Sequence, residues 1–423
     1  MKIYNLFPLL AGRLNQWKPH LERAAHMGFD WIFVNPVQLT GQSGSLYSIK
    51  DYFALNPKLL SEKGTATPEA QMKAVVAEAE KLGLSMMVDL VINHCAYDSA
   101  LLKQHPEWFA KKNGQIAHPS CVHDGQEVVW RDLARFDHLH TSDREGLYRY
   151  CLKTVEYLLE LGFKGLRCDA AYQLPSDFWR RLIADVRKKW PDTVFAAETL
   201  GCNPEQTKDT ARAGFDYIFN SSKWWDFSSP WLMEQYHLTR ETVPSISFPE
   251  SHDTARLFAE VNGNADAMKQ RYLFAALFSA GVMMPMGFEY GFRKSLHVVD
   301  SRPEDWETPA IDLTGFIQHV NAVKSRYPVF MEESVTEVLP YHPNHSILLL
   351  WKASPKTHSE ALIILNKDVW HRQYFQTDNL NHYVQSVAPM VDASPEWAME
   401  YLPAPFGFEL APGMGRILVA DRA

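Results

Sequence analysis

This chain lacks most of what would tie it to a membrane, a nucleic acid or an oxidising compartment. It has no apolar run of about 18 residues, the length a bilayer-spanning helix needs, so no membrane partner is expected. Cysteine is scarce: Cys95, Cys121, Cys151, Cys168 and Cys202 are odd in number and show no CxxC spacing. That pattern argues against a disulfide framework or a zinc ribbon and reads as free thiols in a reducing, cytoplasmic setting. A basic surplus is also missing, with 42 Lys and Arg against 50 Asp and Glu, a net charge of −8 and a pI near 6.1. Nucleic acid and anionic lipid are therefore not expected as partners. No internal repeat or low-complexity segment is visible. The opening MKIYNLFPLLAG carries Asn5 and Pro8 inside its apolar stretch and no clear small-residue cleavage site, so it reads as a first strand rather than a secretion signal.

Four short segments carry most of the information. They are VDLVINH (residues 88–94), GLRCDAA (165–171), FAAETLG (195–201) and SFPESHD (247–253). In each, an apolar run ends in a cluster of Asp, Glu, His, Arg or Asn. Short apolar runs separated by helix-like stretches read as parallel strands buried on both faces. Polar clusters at their C-terminal ends mark a (β/α)₈ barrel whose top face is an active site.

Eight strands are predicted, at 2–7, 31–35, 84–90, 164–169, 193–198, 215–219, 245–248 and 281–286. Helices are expected at 16–27, 68–82 (opened by Pro68), 143–161 and 177–190. The stretch 95–141 breaks the alternation and is too long for an ordinary connection, so it reads as an excursion domain after strand three. Beyond residue 328 the pattern turns to alternating segments such as SILLLWKA, EALIILNK and GRILVA, the mark of an antiparallel β-sandwich. The predicted organisation is an α/β TIM barrel (1–94 and 142–328), an inserted excursion (95–141) and a C-terminal β-sandwich (329–423).

Three acids stand at strand ends: Asp169, Glu198 and Asp253. Glycosidic cleavage with retention needs two carboxyl groups about 5–5.5 Å apart, one a nucleophile and one an acid/base. Neighbouring strands lie about 4.8 Å apart, so Asp169 and Glu198 at the ends of strands four and five fall in that range. Arg167, two residues before Asp169, points to the same face, where a guanidinium keeps the carboxylate ionised and oriented. Glu198 follows Phe195-Ala196-Ala197, an apolar setting that favours the protonated form of a general acid. A lone Asp at a strand end is more often a cap or a salt bridge. Several such ends in order are not.

With these motifs in order, the chain resembles the α-amylase family of glycoside hydrolases over essentially all of its length. Asp89, Asn93 and His94 match the family's D-x-x-x-N-H segment, and Arg167 and Asp169 its R-x-D segment with the nucleophile. Glu198 matches the acid/base; His252 and Asp253 match the H-D pair whose Asp stabilises the distorted sugar. Tyr47 matches the tyrosine that stacks under that sugar. The resemblance implies that His94 and His252 bond its hydroxyls. Within the family, HPEWFAKKNGQI (105–116) and PSDFWRRLIADVRKKWPDTVFAAET (175–199) are most similar to bacterial maltosyltransferases, whose large N-terminal region is missing here.

Departures from the family pattern bear on substrate. Tyr172-Gln173 stand where many members have Lys and His at an acceptor site and a calcium-linked backbone, so neither metal nor cofactor is expected. Ser48 replaces an Asp that grips a chain end in exo-acting members, and Ser251 replaces a common Asn. The maltosyltransferases place lysines that meet a donor phosphate in the excursion, but no Lys lies between Lys112 and Lys153. Arg131 and Arg135 are read as ion-pair residues and His118, His123 and His138 as solvated loop histidines. The expected activity is retaining cleavage or transfer at α-glucosidic bonds of an α-glucan or oligosaccharide. Transfer from maltose 1-phosphate and a catalytically silent binding protein are the alternatives. Three intact acids argue against silence.

Overall fold

The computed structural model describes residues 1–62, 65–123, 126–386 and 388–420. The side chains of Cys121 and His123, named above, lie outside the described residues.

Eight parallel strands close into a barrel: β1 (Lys2–Leu6), β2 (Trp31–Val34), β3 (Ser85–Leu90), β4 (Gly165–Cys168), β5 (Val194–Ala197), β6 (Tyr217–Phe219), β7 (Ser245–Ser247) and β8 (Gly281–Pro285). They neighbour one another in chain order, and β8 returns to β1 with Lys2 opposite Val282. This is the barrel expected from the alternation. The strands are mostly apolar because both faces are covered. Ile3, Phe33, Met87, Ala196, Ile246 and Met283 fill the interior. Tyr4, Ile32, Met86, Val88, Leu166 and Phe195 pack outward against the helices. At Gly165 an added Cβ would lie 2.9 Å from the Trp31 ring, so a side chain there would disturb the first turn of β4.

The helices are α1 (Lys18–His26), α2 (Pro68–Lys81), α3 (Arg144–Glu160), α4 (Ser176–Arg187), α5 (Pro204–Ala211), α6 (Trp231–Thr239), α7 (Ala265–Phe278) and α8 (Thr314–Arg326). Local chemistry sets their starts: Thr67 and Asp143 accept backbone N–H groups of Ala70 and Gly146 at α2 and α3. In α4 the apolar positions Trp179, Leu182, Ile183 and Val186 recur at helical spacing and are the ones buried. Among the described residues no helix is long and apolar enough to cross a membrane.

Two excursions rise from the strand ends. After β3, His94–Ala96 pairs with Leu133–Arg135, and two hairpins, Lys111–Lys112 with Gln115–Ile116 and Ser120–His123 with Gln126–Val129, extend it. After β2, an antiparallel pair, Gln38–Thr40 with Ile49–Leu55, carries Tyr47 and Ser48 on its connection. This second ladder was not expected from the sequence.

C-terminal to the barrel are β9 (Val335–Leu339), β10 (Ile347–Ala353), β11 (Glu360–Asn366), β12 (Gln373–Thr377), β13 (Val391–Asp392), β14 (Phe406–Leu410) and β15 (Gly415–Ala420). They form an antiparallel sheet in the order β9-β10-β11-β15-β13 and a two-stranded ribbon of β12 and β14. Alternation along the strands sorts the core into two layers. Leu348, Leu350, Ile363 and Leu365 pack on Phe274, Leu277 and Phe278 of α7. Leu349, Trp351, Leu362 and Ile364 pack on Phe375, Phe406 and Phe408 of the ribbon.

Candidate active site

The ends of β3, β4 and β5 bring four charged side chains together. Asp89 and Arg167 are register partners on β3 and β4, so their side chains leave the same face of the sheet. A single nitrogen, Arg167 Nη1, donates to both Asp89 oxygens (3.0 and 3.1 Å) and to Asp169 Oδ1 (2.7 Å). Arg167 and Asp89 are buried, whereas the Asp169 side chain is 16% exposed. Burial raises the Asp89 carboxyl to about 6, with Arg167 opposing the shift. Asp169 lies one residue beyond β4 rather than inside it. Its N–H still bonds Leu90 O (3.1 Å), but Ala170 then takes a left-handed conformation, φ 41° and ψ 47°, which ends the strand.

That left-handed turn also links the two predicted catalytic acids. Left-handed backbone is unfavourable for a residue with a Cβ and tends to persist where neighbouring structure enforces it. Here the Ala170 N–H donates to Glu198 Oε2 (2.8 Å), and the Leu200 N–H donates to Oε1 (2.6 Å). Cys168 is opposite Ala197 across β4 and β5, so Asp169 and Glu198 are the next residues on adjacent strands. Their environments differ sharply. Glu198 is 8% exposed; desolvation raises its carboxyl to about 7, Arg167 opposes this, and Asp169 adds to it. One carboxyl is therefore held by a guanidinium and the other is biased toward its protonated form.

The remaining predicted residues close the site. The Tyr47 hydroxyl donates to Asp89 Oδ2 (2.6 Å), contacts His252 Nε2 (2.6 Å) and accepts from Asn35 Nδ2 (3.0 Å). Its ring stacks on His252 with centroids 5.8 Å apart. His252 Nε2 lies 3.0 Å from Asp253 Oδ2, and the Asp253 side chain is 56% exposed. Desolvation pushes the Asp253 carboxyl up, but His252 and Arg167 outweigh it and leave it below the ordinary value. His94 Nε2 meets the Tyr47 carbonyl (3.1 Å). In both histidines Nδ1 is buried without a partner, so a sugar hydroxyl would have to share or replace an Nε2 contact. A small cavity lined by Phe33, Arg167, Glu198, Phe248, His252 and Asp253 lies among these groups, with Trp224 edge-on to Phe248.

Asn35 and Ala170 were not singled out from the sequence. Asn35 was legible only as the last residue of a predicted strand, and Ala170 holds Glu198 through its backbone. Ser48 is buried, its hydroxyl 3.5 Å from Asp132 O, and does not reach the cleft. Ser251, uninterpreted from sequence, accepts from the Asp253 N–H (3.3 Å) and shapes that turn.

Two expectations for the excursion need correction. His138 is not a solvated loop residue: its Nε2 meets Ile92 O at 2.7 Å, and burial lowers its pKa to about 4. His118 is half-buried, with Nδ1 2.7 Å from Leu133 O. Both rings were misjudged because the polarity of the segment hides the backbone carbonyls they meet. Arg131 and Arg135 are exposed and form no ion pair among the described residues.

The residues present do not fit a calcium ion of the family type. Asn93 Oδ1 is buried without a partner, but the nearby carboxylates are engaged: Asp98 pairs with Lys50 (2.9 Å), and Asp137 Oδ1 caps the N–H groups of Leu139 and His140. Among the described residues, His105, Glu107 and Asp143 form the one group with three potential ligand atoms close together. Both Asp143 oxygens already accept, from Trp108 Nε1 (3.0 Å) and the Gly146 N–H (2.9 Å). Activity is accordingly expected to survive exhaustive chelation. An assay before and after chelator treatment checks this; loss restored specifically by calcium refutes it.

A family model described as "Glycogen debranching enzyme, glucanotransferase domain" matches residues 1–113. The chain is 24% identical over 378 residues to an alpha-1,4-glucan:maltose-1-phosphate maltosyltransferase of Burkholderia pseudomallei, covering 86% of this chain and 32% of that protein. It is 27% identical over 306 residues to the protein of the same name from Arcanobacterium haemolyticum, covering 66% and 42%. The chain thus spans about a third to two fifths of the length of these relatives. Among solved structures, an alpha-amylase from Lactobacillus plantarum superposes with a TM-score of 0.78 at 21% identity, covering 99% of this chain and 98% of that one. An alpha-amylase from H. orenii gives 0.79 at 13% identity, covering 100% and 99%. These two likenesses establish a shared fold.

Proposed function

We propose that the chain is a member of the α-amylase family of glycoside hydrolases, a retaining enzyme acting on α-glucosidic bonds of α-glucan oligosaccharides by transfer or hydrolysis. The observation that carries this reading is the contrast between Asp169 and Glu198 on adjacent strand ends. In this proposal Asp169 attacks the anomeric carbon while Glu198 gives its proton to the departing glycosidic oxygen. The C–O bond to the leaving sugar breaks as the Asp169–sugar ester forms. Glu198, now a carboxylate, then takes a proton from water or a sugar hydroxyl as that oxygen displaces Asp169. Asp253, below its ordinary pKa and open to solvent, is assigned to the positive charge developing on the sugar ring. Arg167 aims Asp169 through its 2.7 Å contact.

Retention is the expected outcome of this arrangement, because strand ends about 4.8 Å apart suit the separation of about 5–5.5 Å between the carboxyl groups of retaining enzymes. The first-formed product from an α-linked maltooligosaccharide is therefore expected to be the α anomer. Nuclear magnetic resonance of the nascent product checks this, and an initial β anomer would remove Asp169 from the nucleophile's role.

A second reading is favoured by the names of the relatives: transfer from maltose 1-phosphate. A phosphate ester carries close to two charges at neutral pH and needs cationic or N–H donors. The excursion has no lysine between Lys112 and Lys153, although Arg131 and Arg135 stand there without ion pairs among the described residues. We place the unphosphorylated donor first. Incubation of the full chain with maltooligosaccharides alone, and separately with maltose 1-phosphate plus a glucan acceptor, distinguishes the two. Chain redistribution or release of short sugars without a phosphorylated donor is expected. Phosphate release with chain extension only in the second mixture would reverse the order.

A further inference from the structure

The turn that carries His252 and Asp253 is flanked in sequence by two opposite charges, Glu250 two residues before His252 and Arg256 three after Asp253. Their side chains pair at 2.8 Å, and each is 1% exposed. A buried ion pair is a weak source of stability, because packed apolar side chains of similar volume often serve as well or better. What such a pair does supply is a fixed geometry between the two segments it joins.

Each Glu250 oxygen has its own donor. Oε1 accepts from Arg256 Nη1, and Oε2 accepts from the Leu257 N–H (2.5 Å). One carboxyl group thus closes residues 250–257 into a loop. Between Ser247, the last residue of β7, and Leu257 the chain is in neither strand nor helix. The hydrogen bonds inside the loop are local: the Ser251 N–H donates to Thr254 Oγ1 (3.0 Å), and the Asp253 N–H to Ser251 Oγ (3.3 Å). The clamp is also tied to both neighbouring connections. Arg256 Nε donates to Lys294 O (3.1 Å) in the segment after β8. Lys223, in the segment after β6, is a second cation facing Glu250 and pairs with Glu260 (2.7 Å).

Asp253 needs such a frame. Its side chain is 56% exposed and meets His252 Nε2 at 3.0 Å. A carboxylate that answers charge developing on a sugar stabilises the transition state best when it is already in place, with no reorganisation left to make. Glu250 and Arg256 lie outside the lining of the cavity that holds Ser251, His252 and Asp253. Any effect they have on the reaction therefore passes through the turn.

We propose that Glu250 and Arg256 are positioning residues for Asp253, clamping the 250–257 loop so that its carboxylate stands where charge develops on the sugar ring. The task of Asp253 rests on the catalytic reading above; the clamp itself does not.

The test combines turnover of maltooligosaccharides with backbone hydrogen exchange, both on the full chain. Glu250→Gln is expected to lower kcat at least about ten-fold and leave KM within about three-fold, because Asp253 acts on charge present only in the transition state. In an Asp253→Asn background the same change should cost less than about three-fold more, since the group it positions is already gone. Arg256→Lys, which can still pair with Glu250, should keep more of kcat than Arg256→Met. Glu250→Gln combined with Arg256→Met leaves no buried charge unpaired, so it should fold even where a single variant does not, with kcat still low. The amides of residues 251–257 should exchange at least about ten-fold faster in this double variant, while those of β1 to β3 change little. Losses that multiply with Asp253→Asn, a near-normal kcat in the folded double variant, or unchanged exchange in the loop would each overturn the proposal. Faster exchange confined to the loop, in a chain inactive on maltooligosaccharides even without substitution, would support the clamp while refuting the catalytic reading.

Discussion

Asp169→Ala is expected to lower turnover of maltooligosaccharides by roughly 10⁴-fold or more, the scale of losing a covalent nucleophile. Glu198→Gln should cost about 10²–10⁴-fold, the range for a positioned general acid. The two losses should differ in kind. A substrate whose leaving group departs without a proton needs Asp169 but not the Glu198 proton, so Glu198→Gln should form the Asp169–sugar ester from it at close to the normal rate. Asp169→Ala should not. Because Glu198 is raised to about 7, activity of the unmodified enzyme on natural substrates is expected to fall as pH rises through about 7. That limb should vanish when ester formation from the activated substrate is followed. Steady-state and single-turnover rates on both substrates check this. Near-normal turnover in Asp169→Ala, or equal losses on both substrates in Glu198→Gln, would sink the assignment.

The same burial that suits Glu198 to hold a proton weakens the fold at high pH. Desolvation raises its folded pKa above the unfolded value of about 4.3. Between those values the folded state binds more protons than the unfolded one. The stabilising contribution is therefore whole below about 4.3 and is lost as pH rises through about 7. Asp89, raised to about 6, acts in the same direction from a lower starting point. Glu198→Gln carries no such titration, so its melting temperature should gain on that of the unmodified chain between pH 5 and pH 8. Its amide can accept only one of the two N–H groups that now point at the carboxylate, which limits the gain.

Much of this site could be read from order along the chain. Short, largely apolar runs gave the eight strands because a parallel sheet covered on both faces leaves few polar positions along them. Each predicted strand proved one or two residues long at an end. At Asp169 the reason is visible: the turn at Ala170 is set by a hydrogen bond to Glu198, a contact between strands that no local pattern carries. The ladder around Tyr47 was missed for a similar reason. Its register shifts at Leu39, and strands with irregular pairing lose the period-two signal. The histidines of the excursion were misjudged because a polar loop sequence does not announce which carbonyls it will fold against. Asp89 matched a motif, but its part as the hub joining Tyr47 to Arg167 needed three distant segments to meet.

That hub makes Arg167 the residue whose loss should damage fold and activity together. Arg167→Met keeps the length of the side chain and removes the charge. Asp89 would then be buried with the Tyr47 hydroxyl as its remaining close donor (2.6 Å), and Asp169 would lose its 2.7 Å guanidinium contact. Breaking a buried pair from one side typically costs about 3–5 kcal/mol, because an unpaired charge stays behind. Nearly complete loss of turnover is expected with it, since Asp169 is left without the group that aims it. The stability loss should shrink on acidification: below about 6, Asp89 is already largely protonated, and little charge is left unpaired. Adding Asp89→Asn to Arg167→Met should restore part of the stability at neutral pH without restoring activity, because the double variant lacks both the buried charge and the Asp169 contact. Chemical denaturation at pH 5.0 and 7.5, with turnover measured alongside, checks each step. A loss under about 1 kcal/mol that is the same at both pH values would place Arg167 outside any buried ion-pair network and leave Asp169 to be oriented by some other group.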